Sequence, residues 1–526
     1  MTYDEREVYV ALTRHNYFPN QKSSIGELPP CISTRQFTPE ISDALCAVQD
    51  PRRGGYDSVS YFATRYNNAP RELSLIHPRS YCRLAKHIVE HWGNVNYVKN
   101  NENSFIKPEV HHDGRILVMN YEDPIEKTNR VLENSFGKRF IVNTDISNCF
   151  NSIYTHAIPW GLIGFEAAKQ AQYDKTAWFN QLDEYQRHCK RNETQGIPIG
   201  PATSNIALEI ILCRVDEQLR ATGFLFSRYV DDYTCYCETS EDAHKFILKL
   251  GNELKKYKLT LNIHKTIITE LPSPAQDSWV MDVLSCLPSR LTHTHEEEPK
   301  LSASEAVTFI NNAILINKNT PDGSVLKYAI QLIIEHLNDD APLSIYRAVL
   351  NLSWHYPILI PYLDYLIEKA QLTKDEIEPH LTKLIEDNCV LVRSDGICWP
   401  LYIMKKNNIV PSEVVVRSVL NSNDCVALVI LNSMVNNDAI VDFANRVVAS
   451  RDQFNIDNYW LLLYQLFKEG RIADVYDNTD AFVILRDNGV DFIPGQTVTD
   501  AERESDAILT RMVFEDIDEF IDGLAE

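Results

Sequence analysis

The chain has 526 residues, 44% of them hydrophobic and 24% charged, with a formal net charge of −22. It is too long for one core, so two or three domains are expected, and the balance is that of a folded, soluble polypeptide. The overall charge argues against a general nucleic-acid binder. There is no apolar run of about 18 residues. The opening MTYDEREVYV has no apolar stretch. Neither a membrane span nor a signal peptide is therefore expected. Twelve cysteines lack C-x-x-C spacing and read as reduced, mostly buried thiols of a cytosolic protein rather than metal ligands.

The charge is unevenly placed. Residues 1–290 hold 33 Lys+Arg and 35 Asp+Glu, a net of −2, whereas residues 291–526 hold 18 and 38, a net of −20. A local basic groove is compatible with the first half; the second half should repel phosphate backbones.

In chain order, residues 1–55 read as an irregular extension punctuated by Pro19, Pro29, Pro30 and Pro39. Residues 56–290 mix strands and helices. The spacing of Leu84, Ile88 and Trp92 predicts a helix over 81–92. RFIVNTDI (139–146) reads as a buried strand, SNIALEIILCRVDEQL (204–219) as a long helix, GFLFSRYV (223–230) as a strand and 242–259 as an amphipathic helix. Over 291–526 strand-like alternation nearly disappears. SASE (302–305) and TKDE (373–376) fit capping boxes, TPDGS (320–324) fits a turn, and the helices that follow suggest stacked hairpins of a solenoid. The acidic stretch after Asp500 reads as a tail or a cap.

Within SRYVDDYTCYC (227–237), Asp231 and Asp232 stand side by side at what reads as a hairpin tip. Adjacent carboxylates need a counter-cation, and hard oxygen ligands of this kind suit Mg²⁺, which bridges protein carboxylates to substrate phosphates. Two such ions can hold the attacking and leaving oxygens of a phosphoryl transfer in line. A third carboxylate, Asp145, ends the predicted strand 139–146, with Phe150 five residues on. Between the aspartate sites, TQGIPIGPATSNIALE (194–209) is a Gly/Pro-rich loop entering a helix, suited to close backbone approach to a nucleotide.

This ordered set, D-x-x-x-x-F, then Q-G-x-P-x-G-P-x-x-S-N, then Y-V-D-D, resembles the palm of reverse transcriptases. LTLNIHKT (259–266) resembles the next palm motif and RELSLIHPRSYCRLAKHI (71–88) the fingers. The resemblance covers residues 60–290. Its finer match is to bacterial antiphage-defence enzymes, the abortive-infection and defence-associated reverse transcriptases, through DISNCFNSIYTHAIPWGLIG and QGIPIGPATSNIALEI. The expected architecture is an α+β reverse-transcriptase palm and fingers followed by an all-α helical-repeat, solenoid-like domain in place of a usual thumb.

The resemblance implies a bacterial, cytoplasmic DNA polymerase that blocks phage. It implies that Asp145, Asp231 and Asp232 bind two Mg²⁺ ions, that Phe150 is the steric gate favouring dNTPs, and that Gln195 and Gly196 sit by the incoming base and sugar. Ser204 and Asn205 would open the following helix, and Lys265 would approach the triphosphate. Lys127, Arg130 and Arg139 are all candidates for the fingers cation. Members of that group form homo-oligomers such as trimers or hexamers, and some prime DNA from a protein tyrosine, leaving product covalently attached. Here the priming tyrosine is unassigned; Tyr17, Tyr56, Tyr61 and Tyr66 lie where a chain could reach the palm. The acidic C-terminal half favours untemplated, protein-primed synthesis. Copying a partner noncoding RNA, an inactive palm scaffold whose helical repeats bind a phage or host protein, and an RNA-dependent RNA polymerase are the competing readings.

Overall fold

The computed structural model describes residues 3–19, 26–111, 113–117, 124–291, 300–321, 323–476 and 479–495. The acidic stretch after Asp500 lies outside the described residues. The prolines suggest irregular chain over 1–55, yet Tyr3–Val10 and Pro39–Ala47 are helical. Pro39 stands in the first turn of its helix, where a missing N–H breaks no bond. The apolar residues between these helices drive burial. Tyr17 stacks on Tyr81 with centroids 4.0 Å apart, and Phe18 packs on Phe492 at 5.5 Å. The N-terminal segment is therefore wedged between the front of the molecule and the end of the helical stack.

β1 (Ser58–Thr64) and β2 (Pro70–Ile76) form an antiparallel hairpin. The predicted helix over 81–92 is realised as Pro78–Glu90. A four-stranded antiparallel sheet follows, built from β3 (Phe140–Asp145), β4 (Leu225–Tyr229), β5 (Asp232–Cys237) and β6 (Ile267–Glu270) in the order β4-β5-β3-β6. The helices Ala202–Ala221 and Ser240–Lys256 flank it. Apolar positions on the sheet and on the first of these helices interlock: Val142, Phe226, Tyr233 and Cys235 are buried, as are Ile206, Ile210 and Leu219.

Beyond Glu270 the described residues contain no further strand. Helices stack on their near neighbours in sequence. Lys374–Leu391 packs against Ser394–Lys406 and Glu413–Ser422, Ser394–Lys406 against Cys425–Asn432, and that helix against Trp460–Lys468. Ser302 and Thr373 form the capping boxes expected of them. The stack does not project away from the front. Asp395 Oδ2 accepts from the Thr64 N–H (2.8 Å) and hydroxyl (2.6 Å), Ser394 Oγ accepts from the Phe62 N–H, and the Trp460 indole donates to the Leu75 carbonyl at 3.0 Å. The Phe62 and Thr64 N–H groups of β1 and the Leu75 carbonyl of β2 are thus satisfied by the helical stack. No described helix is long and apolar enough to cross a membrane.

Candidate active site

Antiparallel register fixes the first contact. β3 pairs with β5 so that Asp145 stands opposite Asp232. β4 pairs with β5 so that Tyr229 also stands opposite Asp232, leaving Val230 and Asp231 as a two-residue turn. Val230 has φ 55°, a left-handed conformation that a β-branched residue adopts only under strain, of order 1–3 kcal/mol. Two-residue hairpins require positive φ at their first central position, so the turn that presents Asp231 carries that strain. The three aspartates of the sequence reading are thereby gathered at one end of the sheet.

Their electrostatics are those of crowded like charges. Burial, then the charges of Asp232 and Asp145, push the Asp231 carboxyl up to about 7. Asp232 reaches solvent, but the surrounding protein and then the charge of Asp145 raise its pKa, against Lys265. The Lys265 ammonium lies 2.8 Å from Asp145 Oδ2, and this hydrogen bond raises the lysine pKa. Lys265 is brought there by backbone pairing, since the Asn262 N–H donates to the Asp145 carbonyl at 2.7 Å and Ile146 bridges Leu261. Asp145 Oδ1 is buried without a hydrogen-bond partner.

An orphaned carboxylate oxygen beside two raised carboxyls is a donor set suited to a divalent cation. Among the described residues no group of three or more His, Cys, Asp or Glu side chains is drawn together closely enough to hold a metal ion by itself; Lys265 supplies the positive charge at Asp145.

The wall beside the aspartates comes from the Phe150 and Gln195 segments. The Ile197 N–H donates to the Phe150 carbonyl (3.0 Å), the Gly196 N–H to the Ile153 carbonyl (2.7 Å), and Gln195 Nε2 to the Ser152 carbonyl (3.0 Å). Phe150 is half-buried against the core. Gly196 has φ +78°, and a Cβ there would lie 3.1 Å from the Asn151 carbonyl oxygen and 2.9 Å from Lys190 Nζ. Gly200 is barred from a side chain by Pro19, 2.4 Å from its would-be Cβ. Ser204 and Asn205 lie in the first turn of the Ala202–Ala221 helix, whose cap is Pro201.

The candidate fingers cations separate. Lys127 and Arg130 lie on the helix Pro124–Ser135, and the Arg130 guanidinium sits 3.9 Å over the Phe105 ring. Arg139 precedes β3 at the end away from Asp145, about 20 Å off at strand rise, which removes it as a triphosphate contact in this arrangement. The candidate priming tyrosines fare worse. Tyr17, Tyr56 and Tyr61 are at most 1% exposed, and their hydroxyls donate to the Ile76 carbonyl, Asp50 and the Glu27 carbonyl. They are core residues, Tyr17 through ring packing within a stretch that reads as irregular and Tyr56 through stacking on His77. Tyr66 is half-buried.

The sequence reading missed the residues behind the turn. Arg228, wholly buried, donates to both Glu209 oxygens (2.7 and 2.8 Å), to Asp216 Oδ2 (2.9 Å) and to the Val230 carbonyl (2.7 Å). Tyr233 and Asn101 donate to the two Asp216 oxygens at 2.9 and 2.7 Å. The available signal was Glu209 and Asp216, seven residues and so two turns apart on one face of the predicted helix.

Residues 78–300 match the family described as "Reverse transcriptase (RNA-dependent DNA polymerase)". That segment is a reverse transcriptase domain, and the match supports a nucleotidyltransferase of the RNA-directed DNA polymerase type. No curated protein matches the chain. Among solved structures, a C-terminally truncated apo telomerase from Candida tropicalis is similar at 14% identity, with 44% of this chain and 53% of that one covered and a TM-score of 0.30. The chain therefore spans about half the length of that relative. Apo telomerase from the same organism gives 11%, 81%, 76% and 0.32. Telomerase from Candida albicans in complex with a fragment of telomeric RNA gives 12%, 80%, 72% and 0.28. Superpositions this loose say nothing of this chain's template or partners.

Proposed function

We propose that this protein is a DNA polymerase of phage defence that polymerises dNTPs at Asp145, Asp231 and Asp232. The observation that carries the reading is the meeting of these three carboxylates at one end of the sheet, with Asp145 Oδ1 buried and unpartnered. These residues would hold two Mg²⁺ ions, which when bound supply Lewis-acid stabilisation of the attacking and leaving oxygens. Gln195 and Gly196 would lie by the incoming base and sugar, and the Phe150 ring would oppose a 2′-hydroxyl, the group that distinguishes ribonucleotides. Lys265 neutralises Asp145 until a substrate triphosphate offers it another anion.

Support for the defence role, a homo-oligomer and synthesis without a conventional template–primer duplex comes from the sequence resemblance. The acidic helical half adds to the last of these, since phosphate neutralisation by Lys and Arg dominates nucleic-acid affinity. If priming is from a tyrosine, burial directs the search away from Tyr17, Tyr56 and Tyr61.

The test is incubation of the purified protein with Mg²⁺ and each labelled dNTP, without added nucleic acid. Label that stays with protein, yields to DNase and is absent from Asp231→Asn/Asp232→Asn supports the reading. Loss of activity on prior RNase treatment would replace it with copying of a bound RNA. Absence of incorporation under every supplied RNA or DNA would leave the inactive scaffold.

A further inference from the structure

Residues 291–526 carry a net charge of −20, so a cleft in this half whose lining holds two arginines against one acid stands out. A cleft of about 580 Å³ opens between the helices Glu413–Ser422 and Asp438–Ala449 and the turn that leads to Tyr459. Arg417 comes from the first helix and Arg446 from the second, so two separate elements aim guanidinium groups at one concavity. Both are exposed, and among the described residues neither makes an ion pair. Asp442, the acid among the lining residues, stands a turn before Arg446 without pairing to it.

The walls are ordered by their own contacts. Arg446 lies 5.8 Å from the Phe443 ring centroid, and Phe443 meets Tyr459 edge-on at 5.2 Å. The Tyr459 hydroxyl donates to the Asn423 carbonyl at 3.1 Å. Asn423 is left-handed, φ 56°, and lines the cleft together with Asn455; their amides donate to the Asn421 carbonyl and to Ser450 Oγ respectively, each at 3.4 Å.

Forked guanidinium groups are the chemistry that recognises a phosphate, because the planar fork matches two of its oxygens. Like charges held in one concavity raise the local concentration of anions. The volume suits a nucleotide-sized molecule rather than a duplex or a peptide segment, as small-ligand sites span about 300–1,000 Å³. We propose that this cleft binds a small phosphate-bearing ligand, remote from the aspartates and independent of them.

The experiment is isothermal titration of the full chain, in EDTA, with ATP, inorganic pyrophosphate and adenosine in separate runs. Expected is one-to-one binding of ATP, weakened at least tenfold in Arg417→Ala/Arg446→Ala and several-fold in Arg417→Gln, with melting temperatures unchanged. Asp231→Asn/Asp232→Asn should bind like the parent, which separates this site from the palm whatever the palm's activity. Pyrophosphate binding as tightly as ATP identifies the phosphate group as the whole determinant; weaker pyrophosphate binding identifies a nucleotide. Both support the site. Adenosine binding as well as ATP, failure of both phosphate ligands to bind, or affinities unchanged in the arginine variants would overturn it.

Discussion

Two sets of carboxylates stand on opposite faces of the β4–β5 hairpin, because alternate strand residues point to opposite sides. On one face Asp231 and Asp232 crowd Asp145, with Lys265 their nearest cation and one carboxylate oxygen left without a partner. On the other, Glu209 and Asp216 are closed over Arg228, with every hydrogen bond at 2.9 Å or less. The same residue type is left frustrated in one place and satisfied in the other. Full satisfaction is what a buried charge needs to persist; incomplete satisfaction is what a site keeps in reserve for a ligand.

The largest effect should come from the frustrated face. Asp231→Asn/Asp232→Asn removes several kcal/mol of transition-state stabilisation and should lower dNTP incorporation by about a thousandfold or more. The melting temperature should not fall, since the substitution relieves repulsion and breaks no side-chain ion pair of either aspartate. A variant that melts well below the parent would make these aspartates structural and erase the contrast.

The satisfied face predicts the reverse. Arg228→Met leaves Glu209 and Asp216 buried without their cation, and removing one partner of such a group costs about 3–5 kcal/mol. Denaturant titration of the intact chain should show that loss. Replacing all three together, Arg228→Met/Glu209→Gln/Asp216→Asn, should recover part of it. If Arg228→Met alone proves neutral, the network is not the brace its geometry describes.

These two faces were unequally legible. Asp145, Asp231 and Asp232 could be found in the chain because adjacent acids at a strand end have few structural uses, and their partners lie at short, patterned spacing. Glu209 and Asp216 could not. Charges on a helix ordinarily read as its solvated side, and only the fold brings Arg228 to them. The helical half was readable from capping boxes at Ser302 and Thr373, because those are local devices. The burial of Tyr17 and Tyr56 was not, because it depends on Tyr81 and Phe492 packing against the first and His77 and Tyr476 against the second. Likewise the docking of β1 on Asp395 joins residues more than three hundred positions apart.

A smaller effect is expected at the wall beside the aspartates. Gly196→Ala places a methyl group in a left-handed backbone position and against the Asn151 backbone. That strain should destabilise by about 1–3 kcal/mol. Because the strained segment is the one proposed to meet the nucleotide, the apparent KM for dNTP should rise more than the melting temperature drops. A fall in stability alone, with KM unchanged, would confine Gly196 to turn formation.

The smallest change in stability falls at the point where the two faces meet. Val230 carries the left-handed turn, and its carbonyl is gripped from behind by Arg228 at 2.7 Å. Val230→Gly relieves the backbone strain but adds unfolded-state entropy, so the two terms oppose and stability should shift by no more than about 1 kcal/mol. Activity should respond more strongly. A glycine at this position removes the β-branch that restricts the turn's backbone, leaving the Arg228 hydrogen bond to the residue-230 carbonyl to hold the turn that carries Asp231. Incorporation should fall by about tenfold, equivalent to about 1.4 kcal/mol of lost positioning. The expected signature is a drop in kcat with melting temperature nearly constant, and restoration by Val230→Ile, which keeps the β-branch. Equal losses in Val230→Gly and Val230→Ile would mean that side-chain volume, rather than the strained and braced turn, sets the position of Asp231.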